Sequence, residues 1–299
     1  MPTLAALRRR LSRDAHQPLL PDRPPLGPLA RRLLPPDVRA RIDALQLDDA
    51  GHGFDPFGMS RDGVAVGLAT TRWLYEVWFR VQSNGVEHVP ATGPAVIACN
   101  HSGMLPLDAW MLGTDLLRRG PIGRPVRVVM DHFVPNLPWI NLLFARAGAI
   151  AGSRGNVHAV LAAGGLLVVF PEGTPGIGKG FRRRYALQPF RPGHAELALR
   201  HRAPIVPTAV VGAEESWPQL ARIDGIHVAG IPFLPIPGTP LPLPTRMHVW
   251  YGEPIDVAGR FAEADADDPR VVSALADEVR ARVAELVTIG LRERRGWFR

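Results

Sequence analysis

A single cysteine, Cys99, and a single lysine, Lys179, stand in a chain of 299 residues. One cysteine cannot close an intrachain disulfide, so a disulfide-stapled secreted scaffold is excluded. With lysine nearly missing, the net charge of +7 is written almost wholly in arginine. That bias reflects codon composition as much as phosphate binding, so the charge permits anionic partners without demanding one. Long uncharged runs are also missing. The best stretch, VAVGLATTRWLYEVWFRV at 64–81, carries Arg72, Glu76 and Arg80, and fails the requirement of ~20 nearly uncharged residues for a membrane span. The opening MPTLAALRRRLSR sets arginines after a very short apolar run, which argues against a secretory leader. No G-x-S-x-G of a serine hydrolase and no G-x-x-x-x-G-K-[ST] phosphate loop occurs. His88, His132 and His194 show no metal-ligand spacing, so no metal is expected, and there is no internal repeat.

What is there reads as a globular α/β chain, 46% hydrophobic and 21% charged. Residues 1–60 form an extension, with a proline-rich connector at 18–36 between short helical pieces. In 64–81 the three charges fall four residues apart, on one helical stripe, amid Trp73, Tyr75, Trp78 and Phe79. Such a helix either lies in a membrane interface or packs on its own core. From Val86 strand and helix signals alternate: VEHVP and PAVIAC read as strands, DAWMLGTDLLRR as a helix, then VRVVM, a helix in LPWINLLFARAGAI, a helix in NVHAVLAAG, LLVVF, AELALRHR and APIVPTAVV. Continuous rather than alternating apolar runs predict a mostly parallel sheet covered by helices on both faces. Residues 228–245 are apolar and loaded with proline, which bars a central strand and suggests a lid or a lipid-facing rim. A closing helix near 269–295 repeats Val272, Leu275, Val279, Val283 and Leu286 at helical spacing. The domain reading is therefore an extension over 1–60, an α/β domain over 61–260 and a packed helix over 261–299.

Two clusters carry chemistry. PAVIAC runs into Asn100 and His101, so the histidine falls past a strand end, where α/β sheets present ligands. A neutral imidazole there can take a proton from an alcohol, and a carboxylate nearby would fix its tautomer. Asp108 lies seven residues on. One continuous helix would hold the two about 10 Å apart, but Gly103 and Pro106 predict a turn, with a helix starting near Pro106 and Asp108 in its first turn. Asp108 could equally serve only the positive end of that helix. The second cluster follows LLVVF: Glu172, Thr174, glycines, Lys179 and Arg182, Arg183, Arg184, a set in which backbone N–H groups and cations can meet phosphate. Cys99 alternates toward the core, which makes a thiol nucleophile the weaker reading.

In order along the chain these segments resemble the glycerolipid acyltransferase family, which includes bacterial 1-acyl-glycerol-3-phosphate acyltransferases. Asn100, His101 and Asp108 match its first block, Gly148 to Arg154 its second, Phe-Pro-Glu-Gly-Thr at 170–174 its third, and Ile205, Val206 and Pro207 its fourth. The match covers Val86 to Gly252. One departure stands out: six residues separate histidine from aspartate where the family usually has four. The resemblance implies His101 as general base, Asp108 as its partner, and an acceptor site lined by Arg154, Glu172, Gly173 and Thr174. Lys179 and Arg182 join the expected substrate-binding set, toward the phosphates of coenzyme A, an acyl-carrier protein or anionic lipid. It implies transfer of an acyl chain from a thioester to a hydroxyl of lysophosphatidic acid or a related glycerolipid, with no cofactor beyond the acyl-CoA or acyl-carrier protein substrate. It implies a peripheral membrane protein on the cytoplasmic face. Competing expectations are an acyl thioesterase, with water as acceptor, and a non-catalytic lipid- or membrane-binding protein. A nucleic-acid partner is not expected, since no reading motif accompanies the basic pI.

Overall fold

The apolar runs become the centre of a seven-stranded sheet because they are apolar on both sides. In the computed structural model, which describes residues 26–102, 106–130, 139–228 and 231–298 (side chains 140, 226–228, 231 and 232 excepted), the elements run in this order. Helices α1 (Gly27–Leu33), α2 (Pro36–Asp43) and α3 (Arg61–Trp73) come first, α3 passing into a π-helical turn at Leu74–Trp78. Then follow β1 (Gln82–Asn84), β2 (Ala95–Cys99), α4 (Leu107–Arg119), β3 (Val126–Met130), α5 (Ile140–Ala147), β4 (Ala149–Ala151), α6 (Arg154–Ala162) and β5 (Leu166–Val169). The second half holds α7 (Thr174–Ile177), α8 (Gly193–Arg200), β6 (Ile205–Val211), α9 (Ala213–Ser216), β7 (Gln219–Val228), β8 (Ile231–Pro237), β9 (His248–Tyr251), α10 (Val257–Arg260) and α11 (Pro269–Glu293). Residues 1–25, with much of the proline-rich connector, and His132 lie outside the described residues.

Strand order is β1-β9-β6-β2-β5-β3-β4. The run β6-β2-β5-β3-β4 is parallel throughout, and β9 joins antiparallel to β6 with β1 parallel to it at the edge. Alternate residues of β2 feed two cores. Val96 and Ala98 pack with α6, α8 and α11 through Val160, Leu199 and Val279. Ala95, Ile97 and Cys99 pack with α4 and the π turn through Met111, Leu112 and Phe79. A third cluster, with Val38, Ile42 and Val64, fastens α1, α2 and α3 to one another.

Two local expectations are corrected. VEHVP holds only a 3-10 turn, Val86–His88, set by Gly85 at φ +76°. The strand is the preceding Gln82–Asn84, whose polar letters suit an edge paired on one side. Residues 228–245 are not all loop: β8 pairs antiparallel with β7 in a separate two-stranded ribbon. Pro235 and Pro237 fit because each strand of a two-stranded ribbon has one unpaired edge. The closing helix does bury Val272, Leu275, Val279 and Val283.

Candidate active site

The end of β2 is fastened before the histidine begins. The Asn100 carboxamide donates to the Val210 carbonyl (3.1 Å) and accepts from the Val210 N–H (2.8 Å), continuing the β2–β6 pairing through a side chain. His101 then leaves the sheet at its carboxyl edge. Its backbone N–H donates to Glu172 Oε1 at 2.9 Å. Its ring lies against Phe170, centroids 4.5 Å apart.

Helix α4 starts at Leu107 behind Pro106, with Asp108 in its first turn. Asp108 is fully buried. Its Oδ2 accepts from His101 Nδ1 at 2.7 Å and from the Ser102 N–H at 2.8 Å, and Oδ1 accepts from the Ala109 N–H at 2.8 Å. A carboxylate can only accept, so the imidazole carries its proton on Nδ1 and Nε2 is the basic nitrogen. Residues 103–105, where the two additional residues of the spacing are expected to loop out, lie outside the described residues.

His101 borders a cavity of about 910 Å³. Its far wall is apolar, from Leu68 and Leu74 beside α3 through Trp110 of α4 and Val128 of β3 to Phe144 of α5. A second cavity, of about 1050 Å³, lies across α7 under the β7–β8 ribbon and is lined by Arg182, Arg183 and Arg222. Thr174 and Arg182 face this second cavity, whereas Gly173 and Arg154 border the first. Gly173 sits at φ +58°, ψ −153°, a conformation that needs glycine.

Arg154 opens α6 with its side chain 84% exposed, in an ion pair with Glu196 at 3.2 Å. Glu172 and Lys179 are paired with each other. Glu172 is buried, and its Oε2 accepts from the Gln188 N–H (2.8 Å) and from Lys179 Nζ (3.2 Å). Lys179 is buried between Glu172 and Glu214, 3.2 Å from each. Lys179 also lines the second cavity, with Thr174 and Arg182. Glu172 turns inward and holds the histidine's main chain.

Burial pushes Glu214 up to about 7, against the opposing pull of Lys179. Burial, then the Asp108 charge, pushes the Cys99 thiol well above its ordinary value, which leaves it inert as a nucleophile. Arg191 has no marker in the sequence and is brought here by the fold. Its guanidinium packs over Gly173, Cζ 3.0 Å from where a Cβ would sit, and borders the first cavity. Among the described residues no group of three or more His, Cys, Asp or Glu is placed to hold a metal ion.

The acyltransferase family model matches residues 80–211. An uncharacterized protein of Mycobacterium tuberculosis is 38% identical over 258 residues, 82% of this chain and 70% of the relative. The DGAT1/2-independent enzyme synthesizing storage lipids of Homo sapiens is 28% identical over 183 residues, 60% of this chain and 55% of that protein. Among solved structures, the 1-acyl-sn-glycerophosphate (LPA) acyltransferase PlsC of Thermotoga maritima matches with a TM-score of 0.52 at 17% identity, covering 79% of this chain and 80% of that one. At that identity the likeness is one of fold.

Proposed function

Since this chain belongs to the glycerolipid acyltransferase family, we propose that it moves an acyl chain from a thioester, acyl-CoA or acyl-carrier protein, to a hydroxyl of lysophosphatidic acid or a related glycerolipid. The observation that carries the reading is the buried His101–Asp108 contact, 2.7 Å, at the border of an apolar cavity of about 910 Å³. His101 Nε2 takes the acceptor's hydroxyl proton as that oxygen attacks the thioester carbonyl. The carbon–sulfur bond then breaks, and the thiolate leaves with the proton returned from the imidazolium. Asp108 stabilises the imidazolium while it exists. General-base help of this kind is worth roughly 10²–10⁴ in rate, and because a thioester is already activated the reaction needs no covalent enzyme intermediate.

The apolar wall suits the acyl chain, and Arg154 with Arg191 on the border suits an anionic headgroup. Arg182 and Arg183 in the second cavity suit the donor's phosphates. Peripheral membrane binding on the cytoplasmic face completes the reading. No helix among the described residues is long and apolar enough to cross a membrane. Yet Leu29 and Leu33 of α1, Trp73 of α3 and Leu142 and Leu143 of α5 are exposed, and Leu143 also lines the cavity. Helix α5 thereby joins an outward apolar face to the cavity wall, a short route for an acceptor leaving a bilayer.

The test is coenzyme A release from long-chain acyl-CoA, with and without lysophosphatidic acid, beside His101→Ala. Acceptor-dependent release that disappears in the variant is the expected result. Release indifferent to acceptor means a thioesterase.

A further inference from the structure

Lysine is the rarest cation in this chain: every other basic side chain apart from histidine is arginine, and the exception, Lys179, lies between two buried carboxylates beneath His101. We propose that Lys179 is a positioning residue for the acyl-transfer step, its ammonium gripping one oxygen of Glu172 so that the other stays aimed at the His101 main chain. This rests on the reading of His101 as the base.

The contacts form one chain. Lys179 Nζ lies 3.2 Å from Glu172 Oε2 and 3.2 Å from Glu214 Oε1, with the three side chains 3%, 0% and 6% exposed. The other oxygen of Glu172 accepts from the His101 N–H. Gly176 of α7 closes the layer from above: a Cβ there would sit 2.8 Å from Glu172 Cβ and 3.0 Å from His101 Cβ. Glycines on both sides of the lysine, Gly178 and Gly180, add no side chains beside it.

The choice of lysine has a physical reason. An ammonium is a compact point charge with three donors, whereas a guanidinium is a wide planar fork with five. Between single oxygens of two buried carboxylates the fork of a guanidinium would leave more buried donors unmade than the ammonium does. Without the ammonium, Glu172 Oε2 keeps only the Gln188 N–H as a donor, and the carboxylate is held less firmly. Glu214 is already pushed up to about 7 by burial, with Lys179 acting against that shift. A Glu172 carboxylate that swings away loses its bond to the His101 N–H, and a bond to a charged acceptor is roughly twice as strong as a neutral one.

The experiment measures kcat, KM for both substrates and melting temperature for full-length Lys179→Met and Lys179→Arg, with long-chain acyl-CoA and lysophosphatidic acid. Both variants should lose kcat by roughly 10–100-fold, the scale of a misplaced reacting group, with each KM within about twofold of wild type. In a Glu172→Gln background Lys179→Met should change kcat no further, because the ammonium acts through that carboxylate. Should Lys179→Met fail to fold, Lys179→Met/Glu214→Gln removes one charge of each sign and should show the same loss of kcat. A raised KM with kcat retained would overturn the proposal in favour of substrate contact. A lower melting temperature with unchanged kcat, or losses that multiply with those of Glu172→Gln, would overturn it in favour of a purely structural pair. A wild-type chain that releases no coenzyme A defeats the acyl-transfer reading itself, and this proposal with it.

Discussion

Asp108 makes three hydrogen bonds with one carboxylate, and two of them come from backbone N–H groups. That arithmetic separates its role in the reaction from a general electrostatic one. Asp108→Asn keeps the volume but turns an amide N–H₂ toward donors: in place of Oδ2 it leaves both His101 Nδ1 and the Ser102 N–H without an acceptor, and in place of Oδ1 the Ala109 N–H. The expected outcome is a folded protein whose kcat falls by roughly 10²–10⁴, read by coenzyme A release at saturating substrates; an unchanged kcat removes Asp108 from the mechanism. Gly176 gives a second prediction at this scale. The atoms its Cβ would strike are the Cβ atoms of Glu172 and His101, which cannot swing aside as a flexible side-chain end would. Gly176→Ala should therefore destabilise the chain by about 1–3 kcal/mol in urea unfolding and lower kcat as well. A variant with wild-type stability and rate would mean that α7 does not press on the site. His101 and Asp108 were legible in the sequence because they lie only seven residues apart. The inward Glu172, Lys179 and Glu214 cluster was not, since closing it needs α9 brought against the loop after β5, a contact between segments about forty residues apart.

At the scale of elements, local pattern succeeded where burial is symmetric and failed where an edge decides. LLVVF and IVPTAVV are apolar at every position because helices cover both faces, and both are interior strands of the sheet. QSN carries no such signal, because an edge strand is defined by its partner β9 and not by its letters. The segment 64–81 packs on the core along one side and leaves apolar residues exposed on the other. Val64, Ala65 and Leu68 are buried against α1 and α2, while Trp73 and Val77 are exposed, and Arg72 and Glu76 of the charged stripe pair at 2.9 Å. Helices α1 and α5 add Leu29, Leu33 and Leu142 to the exposed apolar set. Replacing Leu29 and Leu142 with serine should weaken binding to anionic vesicles by roughly tenfold or more, since each leucine that enters the lipid is worth at least about 1.5 kcal/mol. Vesicle flotation checks this, and release of coenzyme A from a short, water-soluble acyl donor should not change in the same variant. Equal loss of both would place these leucines in the fold of the site and not on a membrane face.

For the molecule as a whole, two buried groups push its stability in opposite directions with pH. Burial lowers His194 from 6.5 to about 4, so between those values the unfolded chain binds a proton that the folded one refuses. Its contribution is full above pH 6.5 and is lost as pH falls through about 4. Burial raises Glu214 from 4.5 to about 7, so over that range the folded chain holds a proton that the unfolded one has released. Its contribution is full below pH 4.5 and is lost as pH rises through about 7. The windows overlap almost completely, and across about pH 4.5–6.5 the two slopes cancel. Each slope alone is about 1.4 kcal/mol per pH unit. Glu214→Gln removes one of them while leaving Lys179 its partner Glu172. Urea unfolding of that variant should show stability rising with pH from about 4 to 6.5, while the same two groups leave the wild-type curve nearly flat. If the variant's slope matches that of wild type, Glu214 releases its proton at an ordinary carboxylate pH; a flat variant curve beside a falling wild-type one means that His194 is not held neutral. In the first case the charge balance beneath His101 consists of two full carboxylates against one ammonium, and Lys179 bears still more of the burden of holding the site together.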